Sequence, residues 1–320
     1  LIGVTIITFT ITNLVPGDPA LMMAGLRAKP EVVEKIREKL GLNKPVFIQY
    51  LLYVKQLLKG DFGTSLHSRR PVIKDLKEYF PATLELTLCS MTITLFIAIP
   101  FGVISATMKD RWPDHLSRMF ALSGVAMPSF WLGLMLLMVF YVFWGILPGG
   151  GRVSTNMSIP MKLTGLYTID SLLTGNFSLF WDCLKHLMLP AITQAAYTIG
   201  LLTRIGRSSM LEVLRQDYVM TARAKGLSQY VVLYKHALKN AFIPVITMLG
   251  ISFGYLLGGS VLIESTFSWP GMGRYAVRAI TFLDFPAVMG VTVVIAFLFV
   301  FINLLVDFLY YFIDPRIRYD

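Results

Sequence analysis

The chain has 320 residues, of which 55% are hydrophobic and only 15% charged, and its 29 Lys and Arg exceed its 19 Asp and Glu to give a net charge of +10. A soluble domain carries roughly a quarter charged residues, so this balance excludes disorder, a coiled coil or a collagen-like chain and argues against an ordinary soluble enzyme. Two Cys exclude a disulfide scaffold and a Cys-based zinc module.

A bilayer crossing needs about 20 mostly apolar residues. Six windows carry no charged residue: 1–17, 86–108, one within 119–151, 187–203, 240–263 and 285–306. They predict an all-α polytopic membrane protein with about six transmembrane helices, and they alternate with polar connections to the end, so 1–320 reads as a single domain. The first window is short and starts without Met. It reads as the end of a longer span rather than a signal peptide, because no basic start or small-residue cleavage site is visible. The fourth window is short too and is expected to extend toward Trp181, an aromatic suited to the interface.

The outer loop 18–82 follows the first window. Residues 30–40 predict a helix, with Pro30 at its first position and Gly41 just past its end; Val32, Val33, Ile36 and Leu40 form its apolar face. Residues 46–59 predict an amphipathic stretch that either lies on the membrane surface or packs on other helices. Gly60-Asp61-Phe62-Gly63 predicts a turn. Pro100 and Pro128 fall inside the second and third windows, where each is expected to bend its helix.

Orientation is read from Lys and Arg in loops under about 60 residues. With 18–82 set aside on that ground, the basic excess favours the side holding 109–118, 204–239 and the tail after Tyr311. That side is expected to be cytoplasmic, which puts both chain ends inside.

Several chemistries lack their motifs. There is no phosphate-binding G-x-x-x-x-G-K-[ST], no H-E-x-x-H and no G-x-S-x-G. The four His fall in separate connections or at their edges and predict no metal site. Cys89 and Cys183 read as small apolar fillers. Ionisable groups within the windows are few, with Glu85 and Asp307 at edges, which argues against an ion-driven carrier or an intramembrane enzyme. No ring of charge points to an ion channel. A pathway whose energy arrives from another chain fits better.

The connection 204–239 is the most informative segment. Residues 209–218 have a helical pattern, and Thr221, Ala222, Arg223, Ala224 and Lys225 form a short small-residue helix that Gly226 would close. The next helical run climbs back toward Pro244. Small side chains would let another protein approach closely, and Arg223 and Lys225 would pair with acidic groups on it.

That segment resembles the EAA loop of bacterial ABC importer permeases. The pattern E-A-A-x-x-x-G falls on Met220, Thr221 and Ala222 and ends at Gly226, with the Glu missing and one Ala replaced. Asp217-Tyr218 through Leu227, and His236 through Val245, are similar to the version found in the branch that imports peptides and nickel. Other segments resemble the same branch: Pro16-Gly17-Asp18-Pro19, Gly60 to Gly63, Phe267-Ser268-Trp269-Pro270-Gly271 with Gly273-Arg274, Asn303 to Asp307, and Asp314 to Arg318. The stretch from Leu163 to Asp170 resembles the B-type subunit of dipeptide permeases.

The resemblance implies a type I importer permease fold in the bacterial inner membrane and a transport subunit that is not itself an enzyme. It implies a second, homologous permease in a heterodimer, two P-loop ATPases that hold ATP and Mg, and an extracytoplasmic binding protein that delivers dipeptides or short peptides. No cofactor is expected on this chain, and nucleic acid is not an expected partner. Nickel, a metallophore, glutathione or heme are alternative cargoes. Asp217, Tyr218, Thr221, Ala222, Arg223, Ala224, Lys225 and Gly226 are the expected ATPase-coupling residues. Asp18, Trp269 and Arg274 are candidates to touch the binding protein, or equally turn-formers. Ser123, Ser129, Ser252 and Asn303 are candidates for the substrate path.

Overall fold

A computed structural model describes residues 1–14, 20–21 and 28–313. Among them the regular structure is helical throughout. The predicted helix α2 is Pro30–Leu40, opened by Pro30 and closed by Gly41 at φ 68°, whose amide donates to Glu38 O. It follows α1 (Ile2–Leu14) and precedes α3 (Val46–Leu58). No residue of α3 is buried; Tyr53 stacks on Phe9 of α1 and Tyr50 meets the same ring edge-on, while Phe47, Leu51 and Leu58 face outward.

Two long helices form the centre. α4 (Val72–Thr107) starts within the expected outer loop and runs through Pro81 and Pro100 without a break. α8 (Phe177–Val213) is the longest at 37 residues; Asn176 caps it by accepting from Leu179 N, and it includes Trp181 as expected. The two run parallel. Ala82 and Leu86 pack with Leu187 and Ala191, Ala98 with Ala195, Ile199 and Leu202, and Val103 and Ala106 with Met210. Near the last of these a Cβ on Gly102 would lie 3.4 Å from the Arg207 backbone nitrogen, so glycine sets how closely the two backbones meet.

α5 (Trp112–Ala126) crosses α8 as closely, and a Cβ at Gly124 or Gly200 would run into the partner helix's backbone carbonyl. The third window is not one helix. Met127, ahead of Pro128, is extended (φ −81°, ψ 130°), and the chain turns through 106° into α6 (Ser129–Leu136), which continues as a π-helical segment, Leu137–Phe143. The residue before a proline is pushed out of the helical region, so Pro128 breaks the span that it was expected only to bend.

After α8 come α9 (Asp217–Ala224), a π-helical segment Val231–Ala237 and α10 (Leu238–Leu257). The fifth window also divides: α10 ends at Gly258-Gly259 and α11 (Val261–Thr266) is separate. α12 (Met272–Thr281) and α13 (Phe285–Ile313) complete the chain.

Six spans were expected. Among the described residues three helices are long and apolar enough to cross a membrane, Val72–Thr107, Val231–Leu257 and Phe285–Phe308, and the bent α5–α6 pair makes a fourth if its two halves form one span. α1 falls short in length, and α8 in apolarity, because it is the buried helix and carries Thr193, Gln194, Thr198 and Thr203 inward.

Candidate functional site

Three features of α8 and its neighbours carry polar chemistry. The first lies beyond its C-terminal end. α9 rests on a small cluster in which Val219 and Ala222 pack against Val232, Val213 and Leu214. Its other side chains face out, including Asp217, Tyr218, Met220, Thr221, Arg223 and Ala224, followed by Lys225 and Gly226. Gly226 closes the helix at φ 76°, with open space where a Cβ would stand. It is glycine for the backbone conformation alone. The Tyr218 hydroxyl accepts from Asn240 Nδ2 at 2.8 Å, tying α9 to α10.

Near the same end of α8 a buried carboxylate links three helices. Asp114 of α5, fully buried, accepts from Arg207 Nε and Nη2 of α8, both at 2.8 Å, from Ser105 of α4, and from Asp110 N. Two parallel N–H donors on one carboxylate make this a strong and directional contact.

The second feature is a cavity of about 660 Å³ against the middle of α8. Gly124, Met127 and Ser129 from the α5–α6 break border it, with Thr193, Gln194, Tyr197 and Thr198 from α8 and Ser252 and Tyr255 from α10. The lining is apolar with scattered hydroxyls and one buried amide. Gln194 accepts from Ser90 at 3.0 Å, and its Nε2 has no partner.

The third is the N-terminal end of α8. Trp269, 1% exposed, donates its indole N–H to Ala82 O at 2.8 Å and packs on Leu86, Leu187 and Ala191. Beside it Glu264, also buried, accepts from Thr83 Oγ1 and Arg274 N, both at 2.8 Å. A Cβ on Gly271 would collide with that carboxylate and with Thr83 Oγ1. Burial pushes the Glu264 carboxyl up to about 7, against the pull of the Arg274, Thr83 and Gly273 donors. Arg152 and Glu85 form a buried ion pair. His186 is inside α8 rather than in a loop, where its Nδ1 lies 2.9 Å from Gly150 O and its Nε2 3.2 Å from Ser154 Oγ. Ser154 donates to Asp182 at 2.6 Å, so this Ser, His and Asp form a tie between loop and helix rather than an activated nucleophile.

Residues 98–319 match the family of binding-protein-dependent transport system inner membrane components, and residues 1–87 match the N-terminal part of such membrane components. The chain belongs to this family. It is therefore a permease component of an ABC importer, a multi-pass inner-membrane protein that works with an ATPase and a binding protein and is not an enzyme. The permease is 50% identical to the probable D,D-dipeptide transport system permease protein DdpB of Escherichia coli K12, covering 98% of this chain and 93% of that protein. It is 47% identical to the dipeptide transport system permease protein DppB of Alkalihalophilus pseudofirmus, over 100% and 96%. The glutathione transport system permease protein GsiC of Salmonella paratyphi A is 38% identical, over 100% and 95%.

The permease gathers only some of the residues singled out from its sequence. Ser129 and Ser252 border the cavity. Ser123 instead bonds Met119 O, and Asn303 bonds Phe299 O, each along its own helix. Ala222 is 7% exposed and points into the loop's own cluster, so it offers no surface to another protein. Trp269 is enclosed, and Arg274 is half-buried with Nη1 on Ser268 O at 2.9 Å; both hold the turn together. Asp18, with the Pro16–Pro19 motif, and the motif at 314–318 lie outside the described residues.

Asp114, Arg207, Arg152 and Gln194 went unnoticed in the sequence. Gln194 had a local signal, as the only amide in the fourth window. The ion pairs had none, because Glu85 and Arg152 are 67 positions apart.

Proposed function

We propose that this permease moves dipeptides or short peptides inward, and that α9 with Lys225 and Gly226 is where an ATPase subunit docks. The observation that carries the docking reading is the division of α9: Val219 and Ala222 anchor it, while Asp217, Tyr218, Thr221, Arg223 and Ala224 are presented outward. A helix held along one side and bare along the other transmits a push from a partner into the body that holds it. The Tyr218–Asn240 contact passes that push to α10, which borders the cavity.

In this reading the α9 side is cytoplasmic, both chain ends are inside, and the N-terminal ends of α4 and α8 face outward. A second homologous permease completes a heterodimer, and two ATPases carry the ATP and Mg. The cavity, with Ser129 and Ser252 on its wall, belongs to the substrate path. Its uncharged lining suits cargoes of varied side chain and leaves selection to the binding protein. The peptide cargo rests on the dipeptide permeases among the relatives. Glutathione, itself a small peptide, is the second reading, favoured by the glutathione permease among them.

Affinity purification from mild detergent followed by mass spectrometry tests the assembly. Recovery of a second permease and P-loop ATPases is expected, and a protein that purifies alone through several detergents would overturn the reading. Uptake of labelled alanyl-alanine, a D,D-dipeptide and glutathione into proteoliposomes bearing the complex then ranks the cargoes.

A further inference from the structure

A second cavity, of about 350 Å³, lies near the N-terminal end of α4 and shares no lining residue with the cavity along the middle of α8. Lys77, Glu78 and Pro81 of α4, Arg152, Lys162 and Tyr167 line it. Arg152 is 7% exposed. Its Nη2 donates to Glu85 and to Gly165 O, its guanidinium lies 3.6 Å from the Tyr167 ring centroid, and its Nε has no partner. A buried guanidinium with donors left over is costly unless something accepts from them.

The wall is fixed before any ligand arrives. Asp170 accepts from the amides of Thr164 and Gly165 at 2.8 and 2.9 Å and from the Thr164 hydroxyl at 2.7 Å, which locks the loop above α7 (Tyr167–Leu173). Gly165 sits at φ 84°, where a Cβ would press on Pro81 at 3.0 Å.

The charges do not cancel. Arg152 is matched by Glu85, and Glu78 is bonded to Arg70 at 2.7 Å. Lys77 and Lys162 are exposed and, among the described residues, make no ion pair. A small preformed hollow with surplus positive charge and a buried, flat donor group in its lining suits a monoanion. Glu78 in the lining penalises a doubly charged phosphate more than a single carboxylate.

We propose that this pocket binds a carboxylate group. Two sources carry that group to the outer face: the C-terminus of a peptide cargo, which rests on the peptide reading above, and an Asp or Glu side chain of the docked binding protein.

The test uses the complete complex in lipid nanodiscs at low salt, with the Lys77→Gln/Lys162→Gln double variant. Both positions are exposed, so the variant folds where Arg152→Ala would leave Glu85 unpaired. One arm measures equilibrium binding of alanyl-alanine and of its C-terminal amide in the absence of binding protein. The other measures the affinity of the binding protein by surface plasmon resonance. A loss of at least threefold in one arm, smaller at high salt and reversed in sign by Glu78→Gln, is the expected result. In the peptide arm, with the amide failing to bind, it assigns the cargo; in the other it assigns the binding protein. A change below threefold in both arms overturns the proposal. Wild-type uptake of alanyl-alanine into proteoliposomes checks the cargo reading separately, and the binding-protein arm decides even where that uptake is absent.

Discussion

At the N-terminal end of α8 a buried indole, a buried Glu264 and the Glu85–Arg152 pair join α4, α8 and the segments around α7 and α11. At the C-terminal end α9 hangs on a handful of small aliphatic side chains, one Tyr–Asn hydrogen bond and a π-helical segment. Elements with few buried contacts open at lower free energy than the body they hang from, and π-helical turns are frequent where helices must adjust. The contrast separates a frame from a moving part: the N-terminal end fixes the bundle, and the loop after α8 is free to respond to a partner.

The contrast is broken most directly at its stiff end. Arg152→Ala strands Glu85 in a buried site and is expected to cost about 3–5 kcal/mol, read as a fall in thermal unfolding temperature in detergent. Glu264 makes the same end sensitive to pH. Its carboxyl is raised in the folded protein from an ordinary 4.5 to about 7. Its contribution is therefore full below about pH 4.5 and fades as pH rises through about 7, a loss on the order of 3 kcal/mol. Glu264→Gln should flatten the profile of unfolding temperature between pH 5 and 8, and an unchanged slope would remove Glu264 as the cause.

Three changes at the other end are expected to cost less. Asp114→Ala frees Arg207, which is 21% exposed and within reach of water, so the loss should be about 2 kcal/mol. A loss equal to that of Arg152→Ala would erase the contrast. Gly226→Ala meets no neighbour and pays only for its left-handed backbone, about 1 kcal/mol in the same assay. Ala224→Glu, on the bare side of α9, should shift stability by less than about 0.5 kcal/mol yet abolish ATPase stimulation in the reconstituted complex. Normal stimulation would sink the docking assignment. Ala222, buried in the cluster, cannot make that separation, because a Glu there would disturb the loop itself.

What the sequence made legible follows range. α2 appears where Pro30 and Gly41 place it, and α13 covers the sixth window, because local chemistry decides both. The breaks at Pro128 and at Gly258-Gly259 were harder, since apolar character runs straight through them and only backbone geometry interrupts the helix. The fourth window caught only the middle of α8, because Thr193, Gln194 and Thr198 turn inward toward the cavity, with Gln194 also held by Ser90 of α4, and no window average records that burial. For α9 the closing glycine was readable, but its bounds were not: the helical pattern over 209–218 is broken by a turn at 214–216, and α9 begins at Asp217 rather than Thr221. The inward turn of Ala222 was not readable either, because it depends on Val232, ten positions downstream and on another element. Trp269 stood out as a motif residue, but motif conspicuousness does not distinguish a side chain that meets a partner from one that seals a helix junction.

The polarity of α8 also bears on how the chain is made. Thr193, Gln194, Thr198 and Thr203 are buried only because α4, α5 and their neighbours cover them. A segment of that composition partitions weakly into lipid from the translocon when it is alone. α4 and α5 precede it in synthesis and are available when it emerges. Membrane integration of α8 is thus a cooperative step, templated by helices already in the bilayer.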